Sequence, residues 1–126
     1  MNSEKKKILI IEDDVTISLM YKVKFEADGF IVLTADNGAS GVEMAKEEKP
    51  DLILLDVILP QLDGFSALEE IKRSAGTKNI PVVVLTSLGT AEDQEKGIKM
   101  GAVDYIIKAS LTPAELSEKV SSILNK

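Results

Sequence analysis

Three times along this chain a short run of apolar residues stops abruptly at a polar group. Ile8-Leu9-Ile10-Ile11 stops at Glu12, Leu52-Ile53-Leu54-Leu55 at Asp56, and Val82-Val83-Val84-Leu85 at Thr86. Uninterrupted runs of this length read as strands buried on both faces, the pattern of parallel strands inside a sheet. Between them lie stretches with helical periodicity. Such alternation leaves few solutions, because parallel neighbours need a crossover and crossovers within one sheet are right-handed.

Lys7 to Ile11 is the first strand. In the helix that follows, Ile17, Met20, Tyr21 and Phe25 fall on one face, Leu19 and Val23 broaden it, and Asp28-Gly29 ends it. Phe30 to Thr34 is strand-like by its β-branched and aromatic content. Asp36-Asn37-Gly38 is a turn, with Asn37 placed to cap a helix over roughly Ala39 to Glu48; Val42 and Ala45 face inward and Gly41 weakens the pattern. Lys49-Pro50-Asp51 turns the chain into the strand Leu52 to Leu55. Asp63 can cap a helix running to about Arg73, with Phe65, Leu68 and Ile71 inward. Ile80 to Leu85 is the next strand, with Pro81 at its start, where no essential ladder bond is lost. Thr90 to Lys99 reads as a helix capped by Thr90 and Asp93, its apolar face thin, little beyond Ala91 and Ile98. Val103 to Ile107 is the fifth strand and ends in Lys108. Thr112-Pro113-Ala114-Glu115 is a strong helix start, and Leu116, Val120, Ile123 and Leu124 form its inward stripe. The expected architecture is α/β: a doubly wound, five-stranded parallel sheet with five helices, flavodoxin-like, in strand order 2-1-3-4-5. The whole chain, residues 1–126, reads as a single domain.

Composition narrows the chemistry. The chain has neither His nor Cys. That removes thiolate and Ser-His-Asp catalysis, phosphohistidine carriage, disulfides and His- or Cys-based zinc sites. A metal here must be hard and bound through oxygen, as Mg²⁺ is. The net charge of -6 argues against direct nucleic-acid binding, which needs a basic face. The basic start, Met1 to Lys7, precedes an apolar run far too short for a signal peptide or a membrane span. No membrane association is expected, and the location expected is cytoplasmic.

The polar groups at the strand ends belong together. In a parallel sheet all carboxyl ends share one edge, and ligands bind outside that edge. Strand one delivers Glu12, Asp13 and Asp14, strand three Asp56, strand four Thr86 and strand five Lys108. Taken singly each has a plain alternative: the acids as helix caps, Lys108 as a solvated strand end, Thr86 as a β-former. Their joint occurrence at successive strand ends argues for a site. Carboxylates packed together repel and take up protons, and a divalent cation removes the conflict. A lysine and a hydroxyl complement phosphoryl oxygens. A carboxylate can itself act as nucleophile and form an acyl phosphate. The cluster therefore reads as a phosphoryl acceptor.

The segments Ile8 to Asp14, Pro50 to Pro60 with Asp63-Gly64, Pro81 to Thr86 and Gly101 to Lys108 together resemble the receiver domain of two-component response regulators, over essentially the whole chain. The resemblance implies that Asp56 is the phosphorylated residue. It implies that Asp13 and Asp56 bind Mg²⁺ directly, that the Ile58 carbonyl is a third protein ligand, and that Glu12 helps through water. It gives Lys108 the phosphoryl oxygens, Thr86 the hydroxyl that moves onto the phosphoryl group, and Tyr105 the role of switch aromatic that follows it inward. Asp14 is left as a helix start. The implied partners are a histidine kinase or phosphotransfer protein as donor and an unidentified downstream protein. The implied output is a change in the surface around the fourth helix, fifth strand and fifth helix. Such a protein is a phosphoacceptor that assists its own phosphorylation and dephosphorylation, not an enzyme.

One position departs from the family. Ala109 stands where a proline, often with a cis bond, usually follows the lysine. A cis bond before a non-proline residue costs about 3–4 kcal/mol, so a trans bond is expected here. Two rival classes fit less well. Aspartyl-phosphate phosphatases commonly carry a second acid two residues after the nucleophile, where this chain has Ile58. A flavin or nucleotide binder on the same fold lacks support, since neither GxxxxGK[ST] nor GxGxxG is present. The sequence runs only to Lys126, and a stand-alone receiver and a piece of a longer regulator both stay open.

Overall fold

The computed structural model describes residues 5–125. Residues 1–4 of the basic start, and Lys126, lie outside the described residues. Five strands and five α-helices alternate: β1 Lys7–Ile11, α1 Val15–Ala27, β2 Ile31–Ala35, α2 Gly38–Glu48, β3 Leu52–Leu55, α3 Gly64–Arg73, β4 Val82–Thr86, α4 Ala91–Lys99, β5 Asp104–Ile107 and α5 Pro113–Leu124. All strand pairs are parallel and their order is β2-β1-β3-β4-β5. The doubly wound fold expected from the alternation is the one observed.

The period of two along each strand divides the core. Leu9 and Ile11 of β1, with Ile53, Leu55, Val82 and Val84, pack under α2 and α3 on Val42, Ala45, Leu68 and Ile71. Ile8 and Ile10, with Leu52, Leu54, Val83 and Leu85, face α1 and α5 through Tyr21, Phe25, Leu116 and Val120. Every residue of β3 and β4 is buried, which is why those runs carry no polar interruption. Phe25 is fully buried, with its ring edge-on to Phe30 at 5.9 Å. Truncating such a ring to alanine costs about 3–5 kcal/mol.

Each helix start is closed by the side chain the sequence offers for it. Asp14, Asn37, Asp63 and Thr90 accept from the amides of Ile17, Ser40, Ser66 and Asp93. Thr112 and Glu115 form a reciprocal capping box on α5. Gly41, which weakens the sequence pattern of α2, has a packing reason: a Cβ there would lie 2.5 Å from Ile11 Cδ1. No cis peptide bond occurs among the described residues, and Lys108–Ser110 forms a short 3₁₀ turn. Among the described residues no helix is long and apolar enough to cross a membrane.

Two inward faces differ from expectation. On α1 the buried residues are Ser18, Tyr21 and Phe25, while Leu19, Met20 and Val23 are exposed. The helix is apolar around more of its circumference than one sheet face and α5 can cover, so Val15, Leu19 and Val23 remain as an outward stripe. On α4, Ala91 and Ile98 are exposed and the buried residue is Gly97. The β2 strand also starts and ends one residue later than its composition suggests.

Candidate functional site

The order of the sheet makes the site. The chain leaves β1 for β2 on one side and returns past it to β3 on the other, so the ends of β1 and β3 flank the crevice where doubly wound sheets bind ligands. Ile11 pairs with Leu55, and the next residues, Glu12 and Asp56, emerge side by side. Thr86 is the last residue of β4, and Lys108 follows β5 directly. Gly64 lets α3 begin against this edge: a Cβ there would meet the Asp56 carbonyl oxygen at 2.2 Å.

Asp56 is buried, 4% exposed, and both of its carboxylate oxygens accept hydrogen bonds. Its Oδ1 accepts from Thr86 Oγ1 at 2.8 Å and from the Ile58 amide at 3.0 Å. Its Oδ2 accepts from Lys108 Nζ at 2.7 Å. The same ammonium reaches Glu12 Oε1 at 2.5 Å, while Glu12 Oε2 accepts from the Asp14 amide at 3.0 Å. Lys108 thus bridges two buried acids. Burial pushes the Glu12 carboxyl above its ordinary value; the bonds from Lys108 and the Asp14 amide oppose this, and the Asp56 charge adds to it. Burial also works against the Lys108 charge, but the bonds to Asp56 and Glu12 outweigh it and hold the ammonium above its ordinary value.

Glu12, Asp13 and Asp56 each offer a carboxylate oxygen, and the three oxygens lie within 4.8 Å of one another. An all-oxygen, acid-rich set with one exposed member suits a hard divalent cation that keeps some of its water. Residues Glu12 and Asp56 are inside and Asp13 is at the surface. Asp14 stands apart as the α1 cap.

A line of hydrogen bonds leads away from the acid. Leu88 donates its amide to Thr86 Oγ1 at 3.3 Å, and its carbonyl accepts from the Tyr105 hydroxyl at 3.0 Å. Thr86 is completely buried, and Tyr105 is inside at 8% exposure. Burial first, then the charges of Asp93 and Asp56, push the Tyr105 phenol above its ordinary value, so it stays a donor. Of the residues singled out from sequence, Asp56, Thr86, Lys108, Glu12 and Asp13 meet in one cluster. Ile58 is tied to Asp56 through its amide, and Tyr105 joins one residue removed, through Leu88. The part played by the Leu88 backbone, and the Glu12–Lys108 pair, are additions of the structure.

A buried aspartate at the carboxyl edge of a doubly wound sheet, gripped by a threonine and a lysine beside two further acids, defines a class of phosphoacceptor proteins. Residues 8–121 match the family described as Response regulator receiver domain, and the chain belongs to that family. It is 38% identical over 117 residues to the DNA-binding dual master transcriptional regulator RpaA of Synechocystis, a match covering 93% of this chain and 47% of that protein. The chain spans about half the length of the curated relatives it matches. Among solved structures, a CheY-like receiver domain protein of Methanospirillum hungatei superposes with a TM-score of 0.90 at 28% identity, covering 97% of this chain and 95% of that one. The receiver domain of a sensor histidine kinase of Pseudomonas aeruginosa, described with a magnesium ion coordinated in its active-site cleft, superposes at 0.88 with 28% identity, covering 98% and 100%.

Proposed function

We propose that this chain, read as one receiver unit over residues 1–126, is a phosphoacceptor switch of a two-component system. In this reading Asp56 takes a phosphoryl group from a histidine kinase or a phosphotransfer protein. The carboxylate oxygen forms the P–O bond as the donor's P–N bond breaks. The observation that carries the reading is the buried Asp56 carboxylate, which Thr86 and Lys108 contact while Glu12 and Asp13 stand within metal-ligand reach of it. Lys108 and the Thr86 hydroxyl are the groups that would follow the charge onto the phosphoryl oxygens. Asp13, Asp56 and the Ile58 carbonyl would hold Mg²⁺, with Glu12 behind them, and the ion would neutralise charge that the lone lysine leaves uncompensated.

The signal then runs along contacts already present. Thr86 sits on Asp56, Leu88 on Thr86 and Tyr105 on Leu88. A phosphoryl group on Asp56 must displace or draw in Thr86, and Tyr105 registers the movement through one peptide unit. The output is a changed surface around α4, β5 and α5, read by a downstream protein. The donor protein must cover the mouth of the site. Glu12 lines a cleft of about 280 Å³ together with Val15 and Leu19, so the outward apolar stripe of α1 is continuous with the acid cluster and lies in the donor's footprint.

The test is an intact-mass measurement. A small phosphodonor with Mg²⁺ should add a single phosphoryl group, and Asp56→Asn should abolish the addition. A phosphoryl adduct that persists undiminished in Asp56→Asn would place the acceptor elsewhere.

A further inference from the structure

Behind Asp56 a loop, Val57 to Asp63, joins β3 to α3. It holds Ile58 and, a little further on, two successive residues in a region of backbone space that a Cβ resists: Gln61 at φ 52° and Leu62 at φ 99°. Such strain persists only where the surroundings over-determine it, and it gathers at functional sites. The surroundings here are the first turn of α2. Gly38 and Ala39 donate their amides, which a helix start leaves free, to the Pro60 and Gln61 carbonyls at 3.3 and 3.0 Å. A Cβ at Gly38 would lie 1.8 Å from the Leu62 carbonyl oxygen and 2.8 Å from its carbon, backbone atoms that cannot swing aside. Leu59 and Leu62 pack half-buried on the core. At its other end the loop is tied to the acceptor, through the Ile58 amide on Asp56 Oδ1 at 3.0 Å. Helix α2 thus grips the loop of the site, although none of the acids of the cluster comes from α2.

We propose that the start of α2 is the mould of this loop, and that Gly38 is a positioning residue for the Ile58 carbonyl. The two amides hold the Pro60 and Gln61 carbonyls and so keep Gln61 and Leu62 left-handed. With those residues fixed, the short path back to Asp56 is fixed too, and the Ile58 carbonyl is set in place before a cation arrives. A hard cation that keeps part of its water gives little free energy with which to order a loop. Gly38 acts by what it lacks, since any side chain there would lift Leu62 off the helix. The proposal rests on the reading of Ile58 as a metal ligand, and its test uses no phosphodonor.

Gln61 is exposed, so the choice of residue there acts chiefly through the backbone. Valine resists a positive φ and glycine accepts it. The Mg²⁺ dissociation constant, read from amide shifts in an NMR titration, should weaken at least roughly tenfold in Gln61→Val and in Gly38→Ala and stay at the parent value in Gln61→Gly. Without metal, the Ile58 amide should exchange faster in the first two proteins and not in the third. Phe25→Leu, in the core layer on the other side of the sheet, should lower the melting temperature and leave Mg²⁺ affinity alone. Parent-like affinity and Ile58 exchange in Gln61→Val overturn the proposal, and decide the matter alone if Gly38→Ala does not fold. An equal loss of affinity in Phe25→Leu also overturns it, because plain destabilisation would then suffice. A parent chain that does not respond to Mg²⁺ overturns the metal reading and the role of Gly38 together, whereas a responding parent with parent-like variants overturns the role of Gly38 alone.

Discussion

The loop just after Asp56 contains two residues in conformations that side chains resist. Gln61 has φ of 52° and Leu62 φ of 99°. For a residue with a Cβ the left-handed region costs about 1–2 kcal/mol. The offset lies in α2, whose first amides have no partner within the helix. Gly38 donates to the Pro60 carbonyl at 3.3 Å and Ala39 to the Gln61 carbonyl at 3.0 Å. Gly38 must lack a side chain, since a Cβ would lie 1.8 Å from the Leu62 carbonyl oxygen. Gln61 is exposed, so its replacement removes strain and loses no packing. Gln61→Gly should therefore stabilise the protein by about 0.5–1 kcal/mol after the added freedom of the unfolded glycine is subtracted. The check is the urea midpoint at unchanged slope; a lower midpoint would show that the loop is not strained at this residue. Asp13 is the exposed member of the acid cluster. Mg²⁺ that binds the folded chain raises its melting temperature by mass action, and Asp13→Ala should remove most of that rise. Full Mg²⁺-dependent stabilisation in Asp13→Ala would rule out its assignment as a ligand.

At the scale of elements, the α1–α5 junction should respond to pH. Asp28 closes α1, and its Oδ2 accepts from the buried Ser117 hydroxyl of α5 at 2.5 Å while Lys24 approaches Oδ1 at 3.2 Å. The Ser117 bond first, and Lys24 after it, hold the Asp28 carboxyl below its ordinary range. A carboxyl with a depressed folded value stabilises the fold above its unfolded pKa of about 3.9 and loses that contribution as pH falls through the folded value. Ser117→Ala should thus cost stability at pH 7 and cost less near pH 3, read as the gap between parent and variant midpoints. An equal gap at both pH values would mean that the contact is packing alone. This junction could not be read from the chain, because serine on a helix gives no burial signal. The same limit explains α1 and α4. Periodicity locates both helices, but it marks apolar residues whether or not a neighbour covers them, so Leu19, Met20 and Val23 read as inward and are exposed. In α4 it pointed to Ile98 and passed over Gly97, since a residue with no side chain carries no hydropathy pattern.

For the molecule as a whole, the parallel sheet explains why so much of the cluster was legible. All strands present their carboxyl ends to one edge, so polar residues at those ends converge whatever their distance in sequence. What stayed hidden runs through backbone atoms, above all the Leu88 amide and carbonyl that link Thr86 to Tyr105. Two side chains at this edge bear on how long the proposed switch stays on. Ile58 binds Asp56 through its amide, and Leu88 binds Thr86 through its own, so both side chains hang one hydrogen bond from the acceptor constellation. Hydrolysis of an acyl phosphate on Asp56 needs a water held in line behind the phosphorus, and a polar side chain can orient it. By resemblance to the family, these two positions overlook that line of approach. Ile58 is 49% exposed, and neither side chain can hydrogen-bond a water, while both can exclude one. The phosphorylated state should therefore be long-lived. Ile58→Asn combined with Leu88→Glu offers the water an amide and a carboxylate and leaves the backbone link to Tyr105 in place. It should shorten the lifetime, by up to roughly a hundredfold if the carboxylate also takes the water's proton. The measurement is the decay of the phosphorylated mass after the donor is removed, at fixed Mg²⁺ and temperature. Ile58→Asn alone separates the oriented water from the added negative charge, which by itself repels nucleophiles and slows decay. A lifetime unchanged or longer in both proteins would mean that water access at these two positions does not set the off-rate.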